Sequence, residues 1–196
     1  TPELLSLWPH PRLCRHLHLP LQSGCDDTLS RMGRQYTTRQ FERLVDEIRQ
    51  RIPGASITTD VIVGFPGESE ADFAATLGFI ERMRFARLHV FKYSRRAGTP
   101  AAQMPGQVDP RVAQARSKKL IALGRRMSLD FHRRFVNAEA QVLFESARDD
   151  AGTRVWNGLT DNYLRVSVST KASLANVMTA VRCVSASETG LRGKLM

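Results

Sequence analysis

Residues 14–100 alternate between short apolar segments and longer segments with helical periodicity, and this alternation limits the folds open to the chain. The apolar segments 16–22, 56–65 and 86–94 have the length of strands. The segments between them repeat apolar residues every three or four positions, as one face of an amphipathic helix does. Strand–helix–strand repeats form parallel sheets covered by helices. The sequence therefore predicts an α/β fold.

Local signals mark where the predicted helices begin and end. Thr37 and Gln40 have the spacing of a capping box, and Ser69 is placed to cap the second helix. Pro53-Gly54 ends the first helix. Three strand–helix units are too few to close a barrel. We therefore expect the chain to hold the C-terminal half of a (β/α) partial barrel, with the N-terminal half elsewhere in the same polypeptide.

The first two strands are predicted to present a polar face to the barrel interior. On the first strand, leucines alternate with polar or special residues, which are His16, His18, Pro20 and Gln22. On the second strand, Asp60 shares a face with Ile62 and Gly64. An inward carboxylate needs an ion-pair partner or a chemical task. We predict that Asp60 is catalytic, with a structural ion pair as the alternative.

Each of the three strands runs into a polar turn that contains glycine. These turns lie at residues 22–24, 64–68 and 93–99. Ligands of parallel barrels bind at the C-terminal ends of the strands, and glycine lets the backbone approach a flat ligand closely. The alternative is that they are ordinary tight turns. Because all three strands share the feature, we predict a ligand site there.

Charge is concentrated in one segment. The chain carries 29 Lys+Arg and 19 Asp+Glu, a net charge of +10, which favours an anionic partner such as nucleic acid. Residues 109–137 alone hold 8 basic and 2 acidic residues. Residues 109–136 are predicted to form one long helix, capped by Asp109. The basic residues predicted to contact RNA from this helix are Arg116, Lys118, Lys119, Arg125 and Arg126.

Beyond residue 138 the pattern changes to short strands separated by Asp, Gly and Asn turns. A segment of this size and pattern predicts a small all-β, OB-like barrel. It holds 7 basic and 6 acidic residues, so we expect it to contribute less charge than the helix. The predicted division is therefore a partial barrel at 1–108, a basic connecting helix at 109–137 and a β-barrel at 138–196.

The cysteines and the hydropathy exclude several classes of protein. Cys14, Cys25 and Cys183 are too widely spaced for a disulfide framework or a cluster-binding motif, and we predict no metal ligands in this chain. No apolar run approaches the roughly 20 residues of a membrane helix. We therefore expect no membrane partner and a reducing, cytoplasmic compartment.

Three motifs resemble one enzyme family, the radical S-adenosylmethionine (SAM) methylthiotransferases. They are "HLHLPLQSGCDDTLSRMGRQYT", "TTDVIVGFPGESEADF" and "FKYSRRAGTPAAQMPGQV", which occur in this order over about residues 10–137. The β-rich tail resembles the TRAM domain of the same family. The resemblance implies a radical SAM partial barrel followed by an OB-like TRAM domain.

The resemblance also assigns roles to residues at the strand ends. It implies that Gln22 and Ser23 approach the ribose and amino-acid end of SAM, and the residues implied beside its adenine are Ile62, Val63 and Gly64. Glu68 stands one position away from the last place of the family's GxIxGxxE pattern, and the resemblance assigns it to cofactor binding with the same turn. The residues implied to meet the substrate nucleotide are Tyr93, Ser94 and Arg95.

The family's activity implies what this chain does and what it lacks. Members attach a methylthio group to C2 of an adenosine in tRNA, or to a ribosomal protein, by radical chemistry with SAM and [4Fe–4S] clusters. The CxxxCxxC cluster motif is not in this chain, so we expect its ligands in the N-terminal half and this chain to be inactive alone. The segments "RRAGTPAAQMPGQV" and "GLTDNYLRV" most resemble the branch that acts on threonylcarbamoyladenosine beside the anticodon.

Three alternatives remain open at this point. The substrate could be isopentenyladenosine in tRNA, or a ribosomal protein. In a different class, the chain could be a non-catalytic RNA-binding module built from the basic helix and the barrel. In that case the residues that could serve on the barrel are Trp156, Tyr163 and Arg165.

Overall fold

The computed structural model describes residues 2–150 and 153–196 and separates into two compact units. The sheet unit comprises His18–Gln50 and Ile57–Met127. The barrel unit comprises Thr1–Leu17, Arg51–Ser56 and Ser128–Met196. The long helix contributes residues to both units, which meet between Met127 and Ser128 in the sequence. The predicted division into three domains stays a prediction.

Helices alternate with the first three strands, as the sequence predicts. The helices are α1 (Pro2–Leu5), α2 (Asp26–Arg31), α3 (Thr38–Arg51), α4 (Glu70–Met83), α5 (Pro100–Gln103) and α6 (Pro110–Arg133). Thr37 and Gln40 form the predicted capping box, with Gln40 N donating to Thr37 Oγ1 over 3.2 Å. Ser69 caps α4 in the same reciprocal way with Asp72. Capping satisfies backbone N–H groups that a helix leaves without partners, which is why these boundaries are predictable.

The first three strands form one sheet in the order β1-β2-β3. They are β1 (His16–His18), β2 (Ser56–Val63) and β3 (Arg87–Lys92). β2 and β3 pair in parallel, which confirms the predicted parallel α/β arrangement. β1 is shorter than the predicted strand at 16–22, because Pro20 has no N–H and Gln22 has a left-handed backbone with φ of 67°. The backbone still bonds to β2 beyond β1, since Gln22 N donates to Asp60 O over 2.8 Å.

One face of β2 supplies the core of the sheet unit. Val61 and Val63 are fully buried there, and the apolar faces of the covering helices supply Val45, Ile48 and Ile80 to the same core. On the opposite face, towards the C-terminal end of β2, Asp60 and Ile62 are only half buried. A strand with period 2 places its side chains on opposite faces, so covering one face with helices leaves the other for polar groups.

The barrel unit contains a closed barrel of five strands. They are β4 (Glu139–Asp150), β5 (Thr153–Thr160), β6 (Arg165–Ser169), β7 (Val177–Ser187) and β8 (Gly190–Leu195). The order around the barrel is β4-β5-β6-β8-β7, with β6 and β8 parallel and the other pairs antiparallel. Val142, Phe144, Val166 and Val181 are fully buried. The small all-β barrel predicted for 138–196 is thus present.

The turn between β5 and β6 holds other segments of the barrel unit. Asp161 accepts two hydrogen bonds from Arg15, at 2.5 and 2.8 Å, and Asn162 donates to Gly54 O over 3.0 Å. Tyr163 stacks on His16 with the ring centroids 4.4 Å apart. These contacts join residues far apart in the sequence, and this turn is therefore a structural element of the unit. Within the part of the chain that the structure describes, none of the helices is long and apolar enough to cross a bilayer.

Replacing Gly24 with alanine should destabilise the sheet unit. A Cβ at this position would lie 2.9 Å from both Thr76 Cα and Phe79 Cβ, so the backbone of α4 would have to shift. We expect a loss of about 1–3 kcal/mol in the free energy of unfolding, measured by urea denaturation. Gly78→Ala, within α4 itself, is the control, because its Cβ would meet only Arg82 Nη1 at 3.8 Å. The steric explanation is wrong if both variants unfold at the same urea concentration.

The barrel unit should lose stability as the pH falls below neutrality because of His132. Its Nδ1 donates to Ser187 O over 2.6 Å, the side chain is buried, and burial lowers the pKa of the imidazole below its ordinary value of 6.5. The unfolded chain then binds a proton more readily, so this stabilisation is present above pH 6.5 and decreases as the pH falls. His132→Gln should remove this part of the pH dependence in thermal unfolding between pH 8 and 5, roughly the window in which histidine titrates. An unchanged pH dependence would contradict this assignment.

Candidate cofactor and substrate site at the strand ends

The half-buried face of the sheet unit carries a His–Asp–His cluster. One carboxylate oxygen of Asp60 lies 3.2 Å from His18 Nε2, and the other lies 3.1 Å from His89 Nδ1. Thr58 Oγ1 lies 2.9 Å from His18 Nδ1 on the opposite side of that ring. Asp60 therefore has two side-chain partners, as its inward position was expected to require, and the catalytic role predicted for it stays a prediction.

His89 is the member of this cluster that the sequence analysis missed. It is the register partner of Asp60 on β3. Once the strands are aligned in parallel, position 89 is the place on β3 that faces Asp60. Alignment of the two strands could have identified it, but the local pattern of β3 could not, because His89 is followed by the exposed Phe91 on the same side.

Two of the predicted cofactor residues place their side chains at the ends of these strands. Ile62 follows Asp60 on the same face of β2 and is half buried. Gln22 pairs with Val61 in a parallel bridge, and its carbonyl accepts from Ile62 N over 2.9 Å. The φ of 67° at Gln22 is unusual for a residue with a side chain. Backbone strain of this kind is concentrated at functional sites, and here it coincides with a predicted ligand contact.

Two other predicted cofactor residues face the helices instead. Ser23 is 1% exposed, its hydroxyl lies 3.2 Å from Thr76 Oγ1, and it accepts from Cys25 N over 3.2 Å. Val63 is 0% exposed and lies in the core beneath the helices. The prediction that these side chains touch SAM does not fit their positions, because strand alternation and the turn direct both into packed interior.

The turn after β2 is fixed to α6 by a buried ion pair. Glu68 Oε1 accepts from Gly64 N over 3.1 Å and from Arg116 Nη1 over 2.5 Å. Arg116 also donates to Glu68 O over 3.0 Å and to Glu70 over 2.6 Å. A Cβ on Gly64 would lie 2.7 Å from Ala113 Cβ, so glycine is required for the close approach of α6. The turn is therefore held from behind by the helix.

This arrangement corrects two predicted roles. Arg116 was predicted to contact RNA, but its side chain is 5% exposed and bound to two carboxylates. Glu68 was assigned to the cofactor, but its side chain is 2% exposed and is bound to Arg116. The Gly64 N–H donates to Glu68 over 3.1 Å, and the position of Gly64 beside the adenine of SAM stays a prediction. All three position the turn behind the site.

Burial dominates the electrostatics of Glu68. Desolvation raises the pKa of this carboxyl, and the Gly64 N–H and the Arg116 guanidinium act in the opposite direction. Glu70 is exposed, and its hydrogen bond with Arg116 lowers the pKa of its carboxyl. One arginine thus serves two carboxylates that have very different access to water.

The third turn combines a buried phenol with exposed polar groups. The Tyr93 ring packs edge-on against Phe65 at 5.3 Å, and its buried hydroxyl has no hydrogen-bond partner among the residues described. Ser94 is exposed, and Arg95 Nε donates to Ala102 O over 2.9 Å. A buried hydroxyl without a partner costs free energy, so Tyr93 is the strongest remaining candidate here for a ligand contact.

The exposed face of α6 carries the remaining cations predicted to bind RNA. Lys118 and Arg125 are exposed, and Lys119 Nζ lies 6.0 Å from the centre of the Phe73 ring. Arg126 forms an exposed ion pair with Glu81. The positive charge of this helix is therefore divided between a buried structural arginine and a solvent-facing row of lysine and arginine.

The barrel unit has a basic cavity that the sequence did not predict. Its volume is about 1020 Å³, and none of the described residues lining it is acidic. Its basic residues are Arg148, Arg165, Arg192 and Lys194. Of the aromatic residues considered for RNA stacking, Trp156 is only 5% exposed and lies in the barrel core, which argues against that role. Tyr163 is 52% exposed but its ring is stacked on His16.

The cysteines do not form a cluster-binding set. Cys14 is exposed, whereas Cys25 and Cys183 are buried, and burial raises the pKa of the Cys183 thiol. Among the described residues, the groups able to ligate a metal contain at most one cysteine. An iron–sulfur cluster needs several thiolates, so the residues present do not fit one.

Comparison with known proteins identifies the class first. Residues 2–80 match the family model described as the Radical SAM superfamily. A solved structure, coproporphyrinogen III oxidase (HemN) from Escherichia coli, described as a radical SAM enzyme, aligns with a TM-score of 0.54 and 20% identity. The alignment covers 65% of this chain and 30% of that one, and it supports the partial-barrel fold alone.

Similar sequences then come from one family of this class. The chain is 46% identical over 157 residues to the tRNA-2-methylthio-N(6)-dimethylallyladenosine synthase of Thermobifida fusca, covering 79% of this chain and 32% of that protein. It is 40% identical over 156 residues to the threonylcarbamoyladenosine tRNA methylthiotransferase MtaB of Bacillus subtilis, covering 79% and 35%. The MtaB of Thermotoga maritima is 46% identical over 136 residues, covering 69% and 31%.

These similarities confirm the family predicted from the motifs. The chain is related to the tRNA methylthiotransferases of the radical SAM superfamily. It spans about a third of the length of these curated relatives.

Removing the buried arginine should destabilise the sheet unit far more than removing an exposed one. Arg116→Met leaves the Glu68 carboxylate buried without its cation, which typically costs about 3–5 kcal/mol in the free energy of unfolding. Arg126→Met is the matched control, because its exposed pair with Glu81 is worth about 1 kcal/mol or less. Adding Glu68→Gln to Arg116→Met should recover part of the loss. Equal urea midpoints for the two single variants would refute the structural role of the Glu68–Arg116 ion pair.

Proposed function

We propose that this chain is the C-terminal part of a tRNA methylthiotransferase that acts by radical SAM chemistry. The observation that carries the proposal is the similarity to methylthiotransferases across up to 79% of the chain. The anionic substrate agrees with the net charge of +10. The cytoplasm, where tRNA is modified, is the proposed location.

The chain's part in cofactor binding is proposed for the polar face at the strand ends. Gln22 and Ile62 present a carboxamide and an apolar surface there, which suit the ribose hydroxyls and the adenine of SAM. Bound SAM supplies the radical and methyl chemistry, with clusters whose ligands we place outside this chain. Tyr93 and the polar turn around it are proposed to contact the substrate nucleotide.

Two basic surfaces are proposed to bind the tRNA backbone. One is the exposed face of α6 with Lys118, Lys119 and Arg125, and the other is the cavity of the barrel unit. The near-neutral charge of residues 138–196 conceals this cavity. Two acids of this segment form ion pairs with arginines that do not line the cavity, Glu139 with Arg182 and Asp149 with Arg154, whereas four cations line the cavity. The five-stranded order with one parallel pair supports the OB-like TRAM assignment.

The proposed target is threonylcarbamoyladenosine beside the anticodon. The segment "RRAGTPAAQMPGQV" supports this branch. Relatives with both nucleoside names share similar identity with this chain, so overall similarity does not select between them. The basic cavity favours a second candidate, an RNA-binding module without catalysis, if the strand ends bind no cofactor.

Nucleoside analysis of tRNA tests the reaction and its target together. Cells whose only copy of the gene encodes Gln22→Ala or Ile62→Asp should lose one 2-methylthio nucleoside from bulk tRNA, detected by liquid chromatography and mass spectrometry. Loss of the threonylcarbamoyl derivative supports the proposed target. Loss of the isopentenyl derivative would show that isopentenyladenosine is the target instead. Lys171→Ala, an exposed barrel substitution, is the control. Unchanged 2-methylthio nucleosides in a complete gene deletion would refute the function.

Binding of an anticodon stem–loop should depend on both basic surfaces. The affinity measured by fluorescence anisotropy should fall with salt because the cations displace counterions from RNA phosphates. Substituting glutamine at Lys118 and Lys119, or at Arg165 and Arg192, should each weaken binding and flatten the salt dependence. Glutamine at Arg43 and Arg39, exposed on α3, is the control. If this control weakens binding equally, the overall positive charge of the chain attracts the RNA, and the two proposed surfaces are not specific binding sites.

A further inference from the structure

Three potential ligands on three adjacent strands converge on the polar face of the sheet unit. We propose that His18, Asp60 and His89 form a site for one divalent transition-metal ion of the zinc class. The sequence analysis did not group these three residues into one site, and it predicted no metal ligands in this chain. They are 42 and 29 positions apart, so no local motif reveals them.

The spacing of the ligand atoms suits such an ion. Asp60 Oδ2 lies 3.2 Å from His18 Nε2, and Asp60 Oδ1 lies 3.1 Å from His89 Nδ1. One ligand atom from each residue lies within 4.8 Å of the others. Atoms bound at 2.0–2.1 Å around a tetrahedral zinc ion are about 3.3 Å apart. Small side-chain movements would therefore bring all three residues onto one ion.

A neighbouring hydroxyl holds one of the imidazoles in a ligating orientation. Thr58 Oγ1 lies 2.9 Å from His18 Nδ1, which leaves Nε2 directed at Asp60. Metal-bound histidines generally use their second ring nitrogen in this way, and the partner fixes the tautomer and the ring orientation. Thr58 is itself fixed in β2, two positions before Asp60 and therefore on the same face of the strand.

The ligand types and their exposure favour a zinc-class ion with an open coordination position. Two imidazoles and one carboxylate are a common set for zinc and other first-row metals, whereas calcium and magnesium prefer oxygen. The three side chains are 37%, 25% and 39% exposed, so an ion can enter from solvent. Three protein ligands leave at least one position for water or another small ligand.

The other candidate group in the described chain does not offer an equivalent site. It consists of Cys25, Asp27 and Asp72. Asp72 already accepts from Arg31 over 2.7 Å and completes the capping box of α4. An ion there would have to displace a guanidinium and break a helix cap. The His–Asp–His cluster requires neither, since its carboxylate interacts with the other two ligands themselves.

The proposal is independent of the methylthiotransferase activity and can be tested without it. Zinc should bind the full 196-residue chain at one ion per chain in equilibrium dialysis at neutral pH. Cobalt(II) should give the intense visible absorption of a low-coordinate site. His89→Ala and Asp60→Asn should each weaken zinc binding at least tenfold, and Thr58→Val should weaken it about tenfold. His10→Ala, at an exposed histidine in the barrel unit, should leave it unchanged.

Two results would overturn the metal site. One is a wild-type chain that is folded by circular dichroism but binds no zinc when zinc is added up to one equivalent of the protein. The other is binding that His89→Ala and Asp60→Asn leave unaltered, or that His10→Ala reduces by as much as they do. In either case the cluster is a hydrogen-bonded group between neighbouring strands. A failure to bind zinc would not contradict the proposed function, which the nucleoside analysis of tRNA tests separately.

Discussion

Burial of one face of the parallel sheet is the constraint on which the rest of the sheet unit depends. Val61 and Val63 pack beneath helices, and strand alternation then places Asp60 and Ile62 on the other face. A carboxylate in that position must find partners, and two imidazoles from the flanking strands supply them. The polar face is therefore a consequence of how the core is formed, and the proposed cofactor contacts and metal site both use it.

The long helix α6 connects this core to the proposed RNA surface through a division of its side chains. Arg116 points inward and fixes the turn after β2 through Glu68, while Lys118 and Arg125 remain on the exposed face. A buried guanidinium needs carboxylates, whereas a cation on the exposed face can contact phosphates. A count of charges along a helix cannot distinguish a buried structural arginine from an exposed one. The sequence analysis therefore predicted RNA contacts for all of these residues.

Local signals were predictable from the sequence, and contacts between distant residues were not. The capping boxes at Thr37 and Ser69 and the barrel at 138–196 follow from short-range patterns and are present. Ser23 was misplaced, because its turn directs the hydroxyl towards Thr76, 53 positions away. His89 and the basic cavity of the barrel required the strand register, which no single segment contains. The prediction of the family from the motifs is confirmed, since the three motifs together span all three strands and the turns that follow them.

The central claim is that the strand ends of this chain form part of a SAM site, and calorimetric titration of SAM tests it most directly. The account predicts saturable binding to the folded chain, weakened at least tenfold by Ile62→Asp and by Gln22→Ala, with Lys171→Ala unchanged. Equal affinity in all four proteins would contradict the account, as would a folded wild-type chain with no saturable binding. The polar face would then serve the structure, and the cofactor would bind elsewhere in the full-length protein.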